Sequence, residues 1–366
     1  MHLPQLAVRT GAAASRLLHA LADAPIPAEM RVFTVLNRAN EAEVLIALVR
    51  LGVPEALAGG VSTVPDLAAA VDADADALLR LLRAAESIGV VRRRGPAYRL
   101  TAMGQALRES STGGVAPFAR YADSTSTRAA WSKLADAVRA GRSQFEAVNG
   151  ATTWQWFAEH PDEERDFTAA MRALCDYNGP EIAGMYPWPA GATVCDVGGG
   201  VGTLVSHVLA TDAGLRGVVV DQAGPIGEAP AFLAERGVNG RVELRVGDFF
   251  SPIDVKADVF LLKDILHDWD DERAATILRN VRGALHPQDR VVLVEFLQDP
   301  DHAHPLVPLV DLTMLTQTDG GRQRTLEEFD RLFAASGLRR TAVYQGPLHS
   351  MIEARAAGPE EATSAC

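Results

Sequence analysis

The sequence predicts an α/β protein. A mostly parallel sheet with helices on both faces fills residues 186–366, behind a helical half, 1–185, that contains a small winged-helix unit. Three observations carry this. After residue 190, short apolar strands alternate with helical patterns. The first of these strands runs into a glycine cluster, Gly198-Gly199-Gly200-Val201-Gly202. Before residue 186, apolar residues recur at helical spacing. The stretch from Tyr186 to Thr193 holds two prolines and a glycine and marks the boundary.

Composition narrows the function classes. A chain of 366 residues, 48% apolar and 22% charged, is long enough for two folded domains. It carries 35 basic and 47 acidic side chains, a net charge of −12. The half 1–185 holds 19 basic against 21 acidic groups; the half 186–366 holds 16 against 26. Neither half has the clustered positive charge that nucleic acid or an anionic membrane requires. The three cysteines, Cys175, Cys195 and Cys366, form no CxxC pair, which argues against a disulfide framework or a cysteine zinc site. No apolar run approaches the ~20 residues of a membrane helix. Arg9 and Arg16 interrupt the N-terminus, which is read as lacking a signal peptide. The expectation is a cytoplasmic protein.

In the first half, Ala13–Leu21 reads as an amphipathic helix suited to packing on a partner subunit. Leu45, Leu48 and Val49 share one face of a later helix. Ser62 to Asp66 caps a short helix over 67–71, and Asp74 or Asp76 opens another in which Leu78, Leu81, Leu82 and Ala85 align. Gly89 ends it. Val90-Val91 and Tyr98 to Leu100, around Arg94-Gly95-Pro96, form a β-wing. Only Arg80, Arg83 and Arg92 to Arg94 could face DNA, so the wing is assigned to structure or dimer formation. Residues 162–185 form a long linking helix.

In the second half the strands fall at 192–197, 216–221, 242–246, 257–263, 289–297, 339–344 and 348–354. Gln345-Gly346-Pro347 is too short for a crossover helix, so the last two strands pair antiparallel at the sheet edge. The tail Ala356–Cys366 reads as disordered.

The glycine cluster follows the strand that ends in Asp196-Val197, and a helix opens after it. That arrangement exposes bare backbone N–H groups to a ligand. Asp221 closes the next strand 19 residues after Gly202, where a carboxylate can accept both ribose hydroxyls of an adenosine. A dinucleotide fingerprint requires GxGxxG, but Thr203 stands where its third glycine would be. Gly198, Gly200 and Gly202 instead run GxGxG, which resembles the fingerprint of S-adenosylmethionine (SAM) methyltransferases. Gly247-Asp248-Phe249-Phe250 after the third strand supplies an acid for the adenine amino group and an aromatic cover for the ring.

The fourth strand ends in Lys263-Asp264-Ile265-Leu266-His267-Asp268-Trp269-Asp270-Asp271. Ligands sit at the carboxyl ends of strands in open α/β sheets, so His267 faces the cofactor. Asp270, Asp271 and Glu272 are explained by capping the helix that follows.

The glycine loop, GDFF, LKxxxHDWDD and Gly320-Gly321-Arg322-Gln323-Arg324-Thr325 resemble the small-molecule O-methyltransferases of plant caffeate/flavonoid type and their bacterial antibiotic-pathway relatives. The resemblance covers nearly the whole chain. It implies a Rossmann-like class I methyltransferase sheet with an N-terminal dimerisation domain, a homodimer, and SAM as cofactor with S-adenosylhomocysteine as product and no metal. It implies methyl transfer to a hydroxyl of an aromatic or polyketide-type metabolite; the alternatives are a member with the same fold and SAM site that hydroxylates, decarboxylates or cyclises instead, and a winged-helix ligand-sensing regulator. His267 is then the general base, a role that suits an imidazole of pKa ~6.5 acting on a phenol of pKa ~10. Glu295 orients the imidazole. Asp196, Gly198, Gly200, Gly202, Asp221, Asp248, Phe249 and Lys263 are the implied cofactor contacts; Met171, Asp268 and Met314 are the implied substrate contacts. Gln323 departs from the pattern, because many relatives carry a second acid there. An amide can hydrogen-bond an imidazole but cannot offset its charge. Leu174 likewise replaces a histidine of some plant relatives. His302 and His304, with Asp299 and Asp301, are read as a solvated loop rather than a metal site. Trp154, Trp156 and Tyr177 are candidates for packing or for an aromatic substrate.

Overall fold

The computed structural model describes residues 25–111, 114–299 and 304–358. The expected helix 13–21 lies outside them, as does the tail from 359 onward; Ala356 still belongs to the last strand. By contacts the chain divides into two compact units. One holds Met1–Arg128 and His160–Tyr177, the other Ala129–Glu159 and Asn178–Cys366.

Among the described residues the first unit begins with the helix Ala28–Arg50, on which Met30, Val32, Phe33, Val35 and Leu36 are all exposed. Its core joins Leu48 to Val53, Leu57, Leu67, Leu78, Leu82, Val90 and Tyr98. The helix Val64–Ala70 begins three residues before the expected start, because Pro65 fits the first turn, where no N–H donor is needed. Thr63 does not cap it through its side chain; its hydroxyl donates to Asp66 Oδ2 at 2.6 Å. Asp74 caps Ala75–Ser87 by accepting from the Ala77 amide at 2.8 Å. The wing is an antiparallel hairpin of β1 (Val91–Arg94) and β2 (Ala97–Leu100). The long helix Pro161–Met185 passes from one unit into the other.

The second unit is built on seven strands: β3 (Thr193–Val197), β4 (Arg216–Asp221), β5 (Val242–Val246), β6 (Val259–Lys263), β7 (Arg290–Glu295), β8 (Leu338–Gln345) and β9 (Ser350–Ala356). Their order is β5-β4-β3-β6-β7-β9-β8. The first five run parallel; β9 pairs antiparallel with β7, and β8 with β9. The central strands are covered on both faces and read as unbroken apolar runs, such as Val259–Leu262 and Val291–Val294, all fully buried. Each such side chain contributes about 1.5–3 kcal/mol of burial. The order reverses between β3 and β6, so a crevice opens at the carboxyl ends of these two strands. Among the described residues no helix is long and apolar enough to cross a membrane.

Candidate active site

The glycine loop follows β3. Gly198, Gly200 and Gly202 all take positive φ (72°, 60° and 86°), a region open to glycine and strained for most other residues. Asp196, 2% exposed, lies directly beneath the loop: a Cβ on Gly199 would come within 2.6 Å of its carboxyl carbon. Its Oδ2 has no hydrogen-bond partner in the protein. Burial and the nearby Asp221 charge push this carboxyl up to about 7. Asp221, at the end of β4, accepts from the Gly200 amide at 2.7 Å and the Gln222 amide at 2.6 Å, and burial raises it as well.

Phe249 completes this side. A Cβ on Gly198 would lie 2.6 Å from Ile265 Cδ1 and 3.5 Å from the Phe249 ring. The glycine loop, GDFF and the loop after β6 therefore meet at one point. Asp248 accepts from the Phe250 amide at 2.8 Å, and both phenyl rings pack edge-on against Trp269. Trp154 stacks on Trp269 at 5.9 Å. The lining suits SAM: glycines without side chains let a ligand approach the loop backbone, Asp196 keeps one buried carboxyl oxygen unpartnered for an amino group, and the rings beside Phe249 offer an apolar wall for adenine.

His267 lies on a single 3₁₀ turn, Leu266–Asp268, after β6 and is buried. Its Nδ1 is 3.1 Å from Oε2 of Glu295, the fully buried last residue of β7. The contact is close but poorly aligned, and neither atom makes a regular hydrogen bond. Glu295 Oε1 accepts from the Leu266 amide at 3.0 Å, so one carboxylate fixes both the turn and the ring. The Nε2 of His267 faces Asp268 Oδ1 at 3.7 Å. Burial disfavours the imidazolium, but the charges of Glu295, Asp268 and Asp264 outweigh it and hold His267 up at about 9. Burial, reinforced by Glu295 and Asp264 and opposed by His267, lifts Asp268 to about 7.

Two neighbours escaped the sequence reading. Asp264 has a left-handed backbone (φ 53°), and its carboxylate pairs with Lys263 Nζ and with His349 Nε2, the latter at 3.1 Å. Asp264 is buried, but Lys263 and His349 keep it well below the usual carboxylate range. His349 comes from the turn before β9, a chain separation that no local pattern can bridge. Asp264, His267 and Glu295 each bring a ligand atom within 4.8 Å of the others. Lys263 and the imidazoles already balance their charge, so the geometry reads as an ion-pair network.

The GGR-x-RT segment closes the site from behind. A Cβ on Gly321 would lie 2.5 Å from the His267 carbonyl oxygen. Arg324, fully buried, donates to the carbonyls of Leu266 and Trp269 at 2.7 Å each and to Asp271. Asp270 caps the helix Asp271–Ala284 by accepting from the Arg273 amide. Gln323 is buried; its backbone N–H donates to Asp311, but neither end of its side-chain amide has a protein partner. Met314 is buried on the helix Val307–Gln317. Met171 belongs to the other compact unit, and Tyr177 is exposed. Of the polar loop, His304 Nδ1 accepts from the Leu306 amide, while Asp301 and His302 lie outside the described residues.

Comparison with known proteins identifies the family of the chain. Residues 131–339 match the model of the O-methyltransferase domain, and 29–110 that of the O-methyltransferase dimerisation domain. The chain is 35% identical over 314 residues to the mitomycin biosynthesis 6-O-methyltransferase of Streptomyces lavendulae, covering 85% of this chain and 89% of that one. It is 34% identical to the aclacinomycin 10-hydroxylase of Streptomyces purpurascens, over 77% of each chain. An O-methyltransferase from neocarzinostatin biosynthesis, solved with SAM and 2-hydroxy-5-methyl naphthoic acid, superposes with a TM-score of 0.72. It is 31% identical and covers 86% of this chain and 96% of its own.

Proposed function

This chain belongs to the O-methyltransferase family and uses SAM as cofactor, and from that premise we propose that it methylates a hydroxyl of an aromatic or polyketide-type secondary metabolite with His267 as general base. The observation that carries this reading is the 3.1 Å contact between His267 Nδ1 and Glu295, at the carboxyl ends of two adjacent parallel strands. It leaves Nε2, on the opposite ring edge beside Asp268, as the proton acceptor.

SAM, when bound, supplies a methyl group made electrophilic by a positively charged sulfur. Asp196, Gly198, Gly200, Gly202, Asp221, Asp248, Phe249 and Lys263 hold it. Asp268 and Met314 line the acceptor side. His267 takes the acceptor proton at Nε2, and Glu295 stabilises the imidazolium that results. Without ligands the surrounding carboxylates keep His267 charged at neutral pH; positive charge entering the cleft favours the neutral ring that can act as base. No metal takes part. Residues 1–185 form the dimerisation domain with its linking helix, and 186–366 form the SAM-binding domain. The exposed apolar row on Ala28–Arg50 supports a homodimer. The protein acts in the cytoplasm, away from nucleic acid and membranes.

The hydroxylase among the relatives favours a second reading, in which the same SAM site serves a non-methylating reaction. Calorimetric titration of dialysed protein with SAM, S-adenosylhomocysteine and NAD comes first; binding of the first two without NAD is expected. Phenolic acceptors are then screened with methyl-labelled SAM. Label in the product supports methyl transfer; turnover without label establishes the second reading. His267→Ala is expected to lower kcat at least a hundredfold. A small loss would mean that positioning alone carries the rate.

A further inference from the structure

The imidazole of His267 has two carboxylates on its Nδ1 side. Asp264 Oδ1 lies 4.0 Å from His267 Nδ1, on the same ring edge that meets Glu295 at 3.1 Å.

Asp264 is held there from several directions. Its backbone N–H donates to the Val294 carbonyl at 3.0 Å, which extends the β6–β7 ladder by one step before the chain turns through φ 53°. Lys263 Nζ pairs with Oδ2, and His349 Nε2 reaches both oxygens at 3.1 and 3.3 Å. His349 is buried, with its Nδ1 3.5 Å from the Asn178 amide, and Glu181 is the further charge that faces it. Phe296 packs against both imidazoles, with ring centroids 4.1 Å from His349 and 6.3 Å from His267. Around His267 itself the charged neighbours are Glu295, Asp268 and Asp264. Asp264 thus bridges two histidines that stand 82 residues apart in the chain.

We propose that Asp264, held in place by His349, is a positioning residue that supplies His267 with a second negative charge beside that of Glu295. This rests on the reading of His267 as the base. Asp264 does not touch the acceptor; it acts through the imidazole, keeping its Nδ1 edge protonated and stabilising the cation formed when Nε2 takes a proton.

The test is an NMR titration of histidine-labelled dimer, with the His267 signal identified by its loss in His267→Gln. In Asp264→Asn, which keeps a side chain tolerant of the left-handed backbone, the His267 midpoint is expected to fall by about one pH unit, a tenfold change in proton affinity. The acid limb of the kcat/KM profile moves with it. His349→Ala is expected to act in the same direction, and His349→Gln, which retains an N–H donor, to restore most of the loss. If Asp264→Asn and His349→Ala leave both midpoint and limb within 0.3 unit while lowering Tm, the pair is structural and the proposal falls. The NMR midpoint does not depend on turnover. Should His267→Ala keep most of its rate, the base reading fails, while the titration still reports whether Asp264 acts on the ring.

Discussion

The buried guanidinium of Arg324 donates to the main-chain carbonyl of Leu266 at 2.7 Å, one residue before His267. A motif some fifty residues downstream thus clamps the turn that carries the imidazole. Arg324 also reaches the Trp269 carbonyl, so it spans the turn from one end to the other.

Replacing Arg324 with Met is expected to destabilise the protein by about 3–5 kcal/mol. Each carbonyl left buried without a donor costs about 1–3 kcal/mol. Arg324→Lys recovers only part, because one ammonium cannot match a planar fork with several donors. Denaturant melts decide this, and a loss under 1 kcal/mol for Arg324→Met would mean that water replaces the clamp.

Glu295→Gln removes the nearest negative charge from His267. The imidazole, held at about 9, then titrates closer to its ordinary ~6.5. The sign for stability follows. A histidine whose pKa is raised in the folded state stabilises the fold fully below ~6.5, and that contribution fades as pH rises through about 9. It is on the order of 3 kcal/mol. The variant should therefore lose stability at pH 6 and little at pH 10. A loss that is equal at both pH values would contradict the assignment of charge.

Gly199→Ala forces a methyl to within 2.6 Å of the Asp196 carboxyl carbon. The loop must shift, at about 1–3 kcal/mol for the overpacked contact. SAM affinity, followed by calorimetry, is expected to drop on the order of a hundredfold, which corresponds to about 2.7 kcal/mol. Unchanged affinity would show that the cofactor does not approach this stretch of backbone.

Asp196→Asn separates stability from binding. In the ligand-free fold the carboxyl is raised to about 7, so the folded state binds more protons than the unfolded chain between pH ~4 and 7. Stability falls as pH rises through that window and stays low above it. The amide removes this penalty: Tm rises at pH 8 and barely changes at pH 4, while SAM binding weakens. A lower Tm at pH 8 would show that the carboxylate is satisfied in the free protein.

Much of this chain could be read from its sequence, because the signals involved are local. Glycines at alternate positions after a strand, an acid closing the next strand and a histidine after the fourth all follow from element order. In a parallel sheet the carboxyl ends of the strands share one edge. Glu295 enters through the family resemblance, and the sheet order, with β7 beside β6, accounts for its place. The pairing of Asp264 with His349, 85 residues apart, could not, and neither could the burial of Arg324 or the unpartnered amide of Gln323. These depend on which side chains meet once the sheet twists and β9 inserts between β7 and β8. The same holds for the raised carboxyl of Asp196 and the raised imidazole of His267. Proton affinity is set by desolvation and by charges within a few ångströms, and only the folded chain determines both.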